Sequence, residues 1–209
     1  MRNIQKNAEP HSLTEHRLKA HADFDNYADK ANLRKYLVVE QRGLCCYCQS
    51  RIRPDTASMK IEHWQCEARY PARRLDYRNL LGACLGGKGR PGREQHCDTS
   101  KGDTDIVLSP ADPACNVERL VQFLGDGRIK SDQAHIDREL NDVLNLNWSC
   151  LVNNRKAVLE AFKDALHYGR IGNPAHELRK WDGSLAGELA EYSQVVVYYL
   201  RKKLRMVPA

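Results

Sequence analysis

The sequence predicts an α+β protein in which a small metal-stabilised module lies between helical flanks. Apolar residues recur at helical spacing towards both ends of the chain, whereas the middle has short extended runs, a glycine-rich loop and clustered cysteines. A length of 209 residues suits one compact domain or a small core with appended segments. The composition, 42% hydrophobic and 29% charged, is typical of a globular protein and argues against general disorder.

We predict three segments along the chain. Residues 1–43 form an N-terminal helical segment, 44–108 form the metal-bound module, and 109–209 form a mainly helical C-terminal region with a short hairpin. We expect the C-terminal region to pack on the module and to bind a partner protein.

The N-terminal segment carries two helix signals. Ser12-x-x-Glu15 has the spacing of a capping box, in which each side chain bonds a backbone amide near the helix start. Leu33 and Leu37 then fall on one helical face before Gly43 ends the run.

The rest of the chain alternates between short strands and helices. Extended runs are expected near 50–53 and 58–64, and a hairpin turn is expected at 124–127. After Ser131 the helical spacing returns, and Gly-Asn-Pro at 172–174 breaks it. A last helix is predicted from about 184 to 204.

The chain has no apolar run as long as the roughly 18–20 residues of a transmembrane helix. Its start lacks the apolar core of a secretory signal, so we expect a cytoplasmic protein with no membrane partner. In a reducing compartment, its eight cysteines are more often metal ligands or buried thiols than disulfides.

The positive charge is concentrated in the module. The whole chain has a formal net charge of +6, and residues 42–101, with twelve basic and six acidic residues, account for all of it. Most of the cysteines lie in the same stretch. A basic, cysteine-rich segment is typical of a metal-stabilised module that binds polyanions, although a solvated charged surface has the same composition.

Cysteine spacing indicates a structural zinc site. Cys45 and Cys48 form Cys-x-x-Cys, which lets two thiolates of one turn bind the same ion. The second pair is predicted at Cys84 and Cys97, separated by a glycine-rich loop. Two other cysteines of the module remain alternative ligands: Cys46 and Cys66. Two cysteines beyond the module are interpreted as buried small hydrophobic residues: Cys115 and Cys150.

Residues suited to metal-dependent hydrolysis lie between and after the cysteine pairs. A lone histidine or asparagine is usually a core, cap or surface residue, so the interpretation depends on their order. In the chain they read Glu62-His63, Asn79-Leu80-Leu81, His96-Cys97-Asp98 and Lys101.

This order resembles the HNH endonuclease family, the ββα-metal nucleases. Glu62-His63 falls at the family's acid–His pair and Asn79 at its central asparagine. Asp98 stands where the family's Cys-His-x-x-Lys has histidine, and the loop before it is expanded. The chain is further similar to HNH proteins associated with retrons and with the Septu anti-phage system. The matching features include an N-terminal Lys-x-x-Glu-Pro, Glu40-Gln41 before Leu44-Cys45-Cys46-Tyr47-Cys48, Ile61-Glu62-His63, Lys101-Gly102, and Leu144-Asn145-Leu146-Asn147 with Arg155.

The resemblance implies a zinc-stabilised ββα-metal fold and a hydrolase that cleaves phosphodiester bonds. His63 would be the general base, because a neutral imidazole can take a proton from water. Glu62 and Asp98 would hold a catalytic Mg²⁺ or Mn²⁺, with His96 as the fallback ligand. Asn79 would orient the His63 ring or support the metal loop.

The implied partners are nucleic acid and an ABC-type ATPase that regulates the nuclease in anti-phage defence. The sequence leaves open whether the substrate is DNA or RNA. Two alternatives keep the zinc but not the catalysis: a nucleic-acid-binding module and a scaffold subunit. The residues expected to contact phosphates are Arg73, Arg74, Arg78 and Lys101.

Overall fold

The secondary structure is mixed α+β, as predicted, in a computed structural model that describes residues 1–204. The α-helices are α1 (His11–Arg17), α2 (Lys30–Glu40), α3 (Asp98–Lys101), α4 (Val117–Leu120), α5 (Ala134–Arg138), α6 (Ser149–His167), α7 (Pro174–Trp181) and α8 (Ser193–Lys203). A π-helical turn, Glu139–Val143, follows α5, and short 3-10 turns lie at Pro71–Arg73, Tyr77–Asn79 and Gly92–Glu94. The strands are β1 (Met59–His63), β2 (Leu80–Cys84), β3 (Gln122–Phe123) and β4 (Ile129–Lys130).

Two antiparallel hairpins provide the sheet structure. In the first, β1 pairs with β2 in a register that sets Met59 opposite Cys84 and His63 opposite Leu80. Every residue of β2 is buried. The second hairpin pairs β3 with β4 and turns where the glycines at 124–127 predict it.

The end of α2 is fastened to β2 by one amide side chain. Gln41 Nε2 donates to the carbonyls of Leu44 (2.8 Å) and Gly82 (2.7 Å), and Gln41 Oε1 accepts from Gly82 N (2.6 Å). A methyl group at Gly82 would lie 3.0 Å from side-chain carbons of Ile52 and Met59. Glycine at this strand position therefore lets the helix and the hairpin approach closely.

Two local predictions in the first 60 residues are wrong. Ser12 does not cap α1, because its hydroxyl bonds Tyr27 (2.8 Å) and Asp29 (2.7 Å) instead of a backbone amide. The extended run at 50–53 forms no strand and makes a single antiparallel bridge, between Arg51 and Leu44, which closes the Cys-x-x-Cys turn.

The last helix starts later than predicted, at Ser193 instead of about 184, because residues before it make other bonds. Leu189 N donates to Arg42 O, at the end of the N-terminal segment (3.1 Å), and Tyr192 N donates to Gln49 O of the module (3.0 Å). The predicted break at 172–174 is confirmed, since α6 ends at His167 and α7 begins at Pro174, with Asn173 as an N-cap that accepts from Ala175 N.

Residues from all three predicted segments share one hydrophobic core, which runs from Met1 to Leu200 and includes β2 and α8. Within residues 1–204, no helix combines the length and the apolar character that a membrane crossing demands.

Candidate metal centre and adjoining cavity

Four buried cysteine sulfurs converge at one point. The Sγ atoms of Cys45, Cys48, Cys84 and Cys97 all lie within 4.8 Å of one another, and none of these residues forms a disulfide. Cys45 and Cys97 are 3.9 Å apart and Cys48 and Cys84 are 3.7 Å apart. Sulfurs bound tetrahedrally to zinc at about 2.3 Å lie about 3.8 Å from each other. The cluster can therefore hold a structural metal ion such as zinc.

Three separate elements bring these cysteines together. Cys45 and Cys48 lie on the turn after α2, Cys84 ends β2, and Cys97 immediately precedes α3. Among residues 1–204 this is the one group of three or more histidine, cysteine and acidic side chains whose ligand atoms are close enough to share an ion. The ligands predicted from cysteine spacing are thus the four that the fold assembles.

Hydrogen-bond donors surround the sulfurs. Cys84 N donates to Cys45 Sγ (3.3 Å), and Ser50 N donates to Cys48 Sγ (3.4 Å). Such donors favour the thiolate that a metal requires. Burial raises the pKa of Cys97 well above its usual value, so the four thiols cannot readily ionise together without a cation.

The other cysteines lie outside the cluster. Cys46 is buried on the Cys-x-x-Cys turn, and burial raises its pKa. Cys66 is buried on the wall of a neighbouring cavity. The prediction for the remaining two is wrong, because Cys115 is only partly buried and Cys150 is exposed.

A cavity of about 300 Å³ opens beside the cluster, and Asp98, which directly follows Cys97, is on its wall. Glu62 and His63 both line it, although neighbours in a strand ordinarily face opposite sides. Because β1 ends at His63, the alternation need not continue there. Of the residues that the sequence order singled out, Glu62, His63, Asp98 and Lys101 therefore line one cavity, whereas Asn79 and His96 do not.

Glu62 and Asp98, on the wall of this cavity, each have a lysine partner. Glu62 Oε1 lies 3.0 Å from Lys101 Nζ and accepts from the Tyr47 hydroxyl at 2.8 Å. Asp98 Oδ2 accepts from Lys60 Nζ at 2.8 Å. Lys60 was not identified from the sequence, although a lysine two residues before Glu62 on the same strand face is a usable signal.

The two carboxyl groups also interact with each other. Burial, and then the neighbouring Asp98, raise the pKa of Glu62 well above its usual value. Burial alone would raise the pKa of Asp98 as well. Hydrogen bonds with Glu62 and Lys60, together with the charges of Lys60 and Lys101, outweigh burial, so the pKa of Asp98 lies below its usual value. Two carboxyl groups this close do not easily both ionise, so the pKa of one rises while that of the other falls.

His63 is held in one tautomer. Its Nε2 lies 2.9 Å from the Arg74 carbonyl oxygen, and the Phe24 ring packs edge-on against the imidazole with centroids 4.5 Å apart. A carbonyl only accepts, so Nε2 carries the proton and Nδ1 is left as an acceptor. Burial lowers the pKa of His63, which favours the neutral ring.

Asn79 is fully buried and supports the loop rather than the histidine itself. Its Oδ1 accepts from Gln65 N (2.8 Å), and its Nδ2 donates to the carbonyls of Gln65 (2.9 Å) and Arg73 (3.2 Å). The next carbonyl along the chain, that of Arg74, is the one bonded to His63. Of the two roles expected for Asn79, support of the loop matches these contacts.

His96 lies at the cysteine cluster and not on the cavity wall. Its Nδ1 is 3.1 Å from Cys97 Sγ, and its ring stacks on Trp148 with centroids 5.3 Å apart. Asp98, not His96, therefore stands beside Glu62.

The basic residues expected to contact phosphate occupy different environments. Arg73 pairs with Asp76 and Arg74 pairs with Asp23, each at about one-third exposure. Arg78 is exposed. Lys101 differs from the expectation, because its side chain is 1% exposed and its ammonium faces Glu62 instead of solvent.

The donor set suits a hard divalent cation, since carboxylate oxygens are what Mg²⁺ and Mn²⁺ prefer. Such an ion would compete with the ammonium of Lys60, which is 28% exposed, more readily than with that of buried Lys101. In comparisons with known proteins, no family model matches the chain and no curated protein matches it.

Proposed function

We propose that this protein is a metal-dependent HNH endonuclease that hydrolyses phosphodiester bonds of nucleic acid. The observation that carries the proposal is His63, whose Nε2 is bonded to a carbonyl while its ring lines a cavity shared with Glu62 and Asp98. The order β1, β2, α3 around a four-cysteine cluster also supports an HNH-type ββα-metal module, with α3 reduced to four residues.

The chemistry assigned to the chain begins with activation of water. His63 Nδ1 accepts a proton from the attacking water while Arg74 O holds the other side of the ring. Losing a positioned general base typically lowers a rate by about 10²–10⁴-fold. Asn79 keeps the loop that carries this carbonyl in place, so it acts as a positioning residue.

Two features would neutralise the negative charge of the phosphate: a cation held by Glu62 and Asp98, and the exposed side chain of Arg78. Glu62 and Asp98 would hold Mg²⁺ or Mn²⁺, which would neutralise charge on the scissile phosphate. Arg78, exposed beside the cavity-supporting loop, would attract the phosphate backbone. The resemblance to retron and Septu HNH proteins extends the proposal to an ABC-type ATPase partner, anti-phage defence and a cytoplasmic location.

The test compares His63→Ala with the unchanged protein and with His135→Ala, an exposed histidine of α5. Supercoiled DNA and single-stranded RNA are incubated with each protein and Mg²⁺ or Mn²⁺. We expect His63→Ala to lose at least about 10²-fold in cleavage with unchanged zinc content, and His135→Ala to keep its activity. Cleavage that persists in His63→Ala would overturn the assignment of the base.

A second candidate function is non-catalytic nucleic-acid binding or scaffolding. One observation favours it: Lys60 and Lys101 already neutralise the two carboxylates without an added cation. Under this alternative no metal restores cleavage, binding to nucleic acid falls steeply with salt, and His63→Ala and Glu62→Ala change neither property.

A further inference from the structure

Residues 144–148, which we call the clamp segment, lie against the last cysteine of the cluster. Leu144 O accepts from Cys97 N at 2.8 Å. Asn145 Nδ2 donates to Gln95 O at 2.7 Å. The Trp148 ring stacks on that of His96, which lies between Gln95 and Cys97 in the chain. The clamp segment therefore contacts three successive residues, 95–97, from outside the predicted module.

Cys97 needs such support because of its backbone. Its φ of 57° and ψ of −140° lie where residues with a side chain are rarely found. Glycine would relieve the conformation but would remove the thiol. The hydrogen bond that Cys97 N donates to Leu144 O holds Cys97 in the orientation that sends its sulfur into the cluster.

Arg155 of α6 donates a hydrogen bond to the clamp segment. The residue is 2% exposed, and its guanidinium donates to Leu146 O (2.7 Å) and to Gly127 O (2.6 Å). Within residues 1–204 the guanidinium forms no ion pair with a carboxylate, and its hydrogen-bond acceptors are two backbone carbonyls and the amide oxygen of Asn147. A buried cation bonded only to neutral oxygens is unfavourable.

Burial lowers the pKa of Arg155 to about 10, so the guanidinium stays charged at neutral pH. It therefore keeps its donors for Leu146 O and Gly127 O, and these two bonds join the clamp segment to α6 and to the β3–β4 turn.

We propose that the clamp segment and Arg155 are part of the metal centre: the clamp segment positions His96 and Cys97, and Arg155 positions the clamp segment through its hydrogen bond to Leu146 O. The metal centre is then completed by the C-terminal region and is not contained in residues 44–108 alone. This inference depends on the four-cysteine cluster and is independent of nuclease activity.

The experiment measures zinc release from the full-length protein to a coloured chelator, with the circular dichroism spectrum recorded for each variant. Arg155→Met removes the hydrogen-bond donors of this side chain, and Arg155→Lys restores a donor at the same place. The matched control is Arg128→Met, because Arg128 is 60% exposed and pairs with Asp126 on the nearby hairpin. We expect release to be roughly 10–100-fold faster in Arg155→Met, as for lost outer contacts of metal ligands. Arg155→Lys should recover part of this change and Arg128→Met should match the unchanged protein.

Asn145→Ala tests the clamp separately, since Asn145 is only half-buried and its loss need not unfold the chain. We expect faster zinc release from this variant as well. Equal release rates for Asn145→Ala, Arg155→Met and Arg128→Met would overturn the inference. If Arg155→Met does not fold, the rates of Arg155→Lys and Asn145→Ala decide: unchanged rates in both would also overturn it.

Discussion

Among single residues, Lys60 has the most direct influence on the proposed cation site. Its ammonium lies 2.8 Å from Asp98 Oδ2 and also donates to Thr99, so it occupies the place where a divalent ion would bind that oxygen. Lys60→Met should therefore tighten Mn²⁺ binding, by about threefold to fivefold for a partly exposed ion pair. Titration of free Mn²⁺ by electron paramagnetic resonance measures the change.

The control for this variant is Lys88→Met, an exposed lysine of the glycine-rich loop. It should leave Mn²⁺ binding unchanged, because general surface charge is screened by salt. Binding that is equal or weaker in Lys60→Met would show that Lys60 does not compete with the ion.

Residue spacing predicted the four cysteines, because Cys-x-x-Cys restricts where two thiols can point. It did not predict the burial of Lys101 or the role of Lys60, because both depend on where Glu62 and Asp98 point in the folded chain. The choice between Asp98 and His96 depended on the tertiary contact between His96 and Trp148, for which the local sequence carries no signal.

Among the structural elements, the loop from β2 to Cys97 depends on one glycine. Gly86 has φ of +56°, its carbonyl accepts from His96 N at 3.0 Å, and a Cβ atom there would lie 2.1 Å from the His96 carbonyl oxygen. Gly86→Ala should thus destabilise the protein by about 2 kcal/mol or more, since it combines a backbone clash with an unfavourable φ. Urea unfolding in the presence of zinc measures the loss.

Gly89 in the same loop is the control for Gly86→Ala, because it shares the positive φ but not the steric clash. Its φ is +84°, but a Cβ atom there would meet nothing within 4 Å. Gly89→Ala should therefore cost about 1 kcal/mol, from its conformation alone. If the two variants unfold at the same urea concentration, the close packing of Gly86 on His96 is not stabilising the loop.

Element prediction succeeded where the pattern is local and failed where long-range contacts decide. The hairpin β3–β4 follows from its glycine turn, and the helical spacing around Leu33 and Leu37 predicts α2. The start of α8 at Ser193 could not be predicted, since residues 184–192 bond to distant carbonyls of Arg42 and Gln49.

In the molecule as a whole, an ion pair joins α4 to α8 across 83 residues of sequence. Arg201 donates to Glu118 Oε2 at 2.6 Å, and the Glu118 side chain is 14% exposed. Burial acts to raise the pKa of Glu118, but Arg201, Arg2 and the backbone amide of Asn3 together outweigh burial, so the folded pKa lies below the usual 4.5. The pair therefore stabilises the fold at pH values above about 4.5, and this contribution is lost as the pH falls through the lower folded value.

Glu118→Gln should accordingly reduce the free energy of unfolding at pH 7 by about 1–2 kcal/mol and by progressively less in acid. Urea unfolding at a series of pH values measures this. Glu160→Gln is the control, because Glu160 and its partner Lys156 are both about half exposed and 3.6 Å apart. A loss at pH 7 that is no larger than in the control, or one that is constant with pH, would contradict the assignment.

Cys97 belongs to the cysteine cluster and Asp98 lines the cavity, and the two are adjacent in the chain, so a movement of one backbone is passed directly to the other. Co²⁺ adopts the same tetrahedral thiolate geometry as Zn²⁺ and, unlike it, absorbs visible light. Substituting it at the cysteines would place a chromophore one residue from the cavity, where its colour would respond when a molecule enters and shifts Asp98.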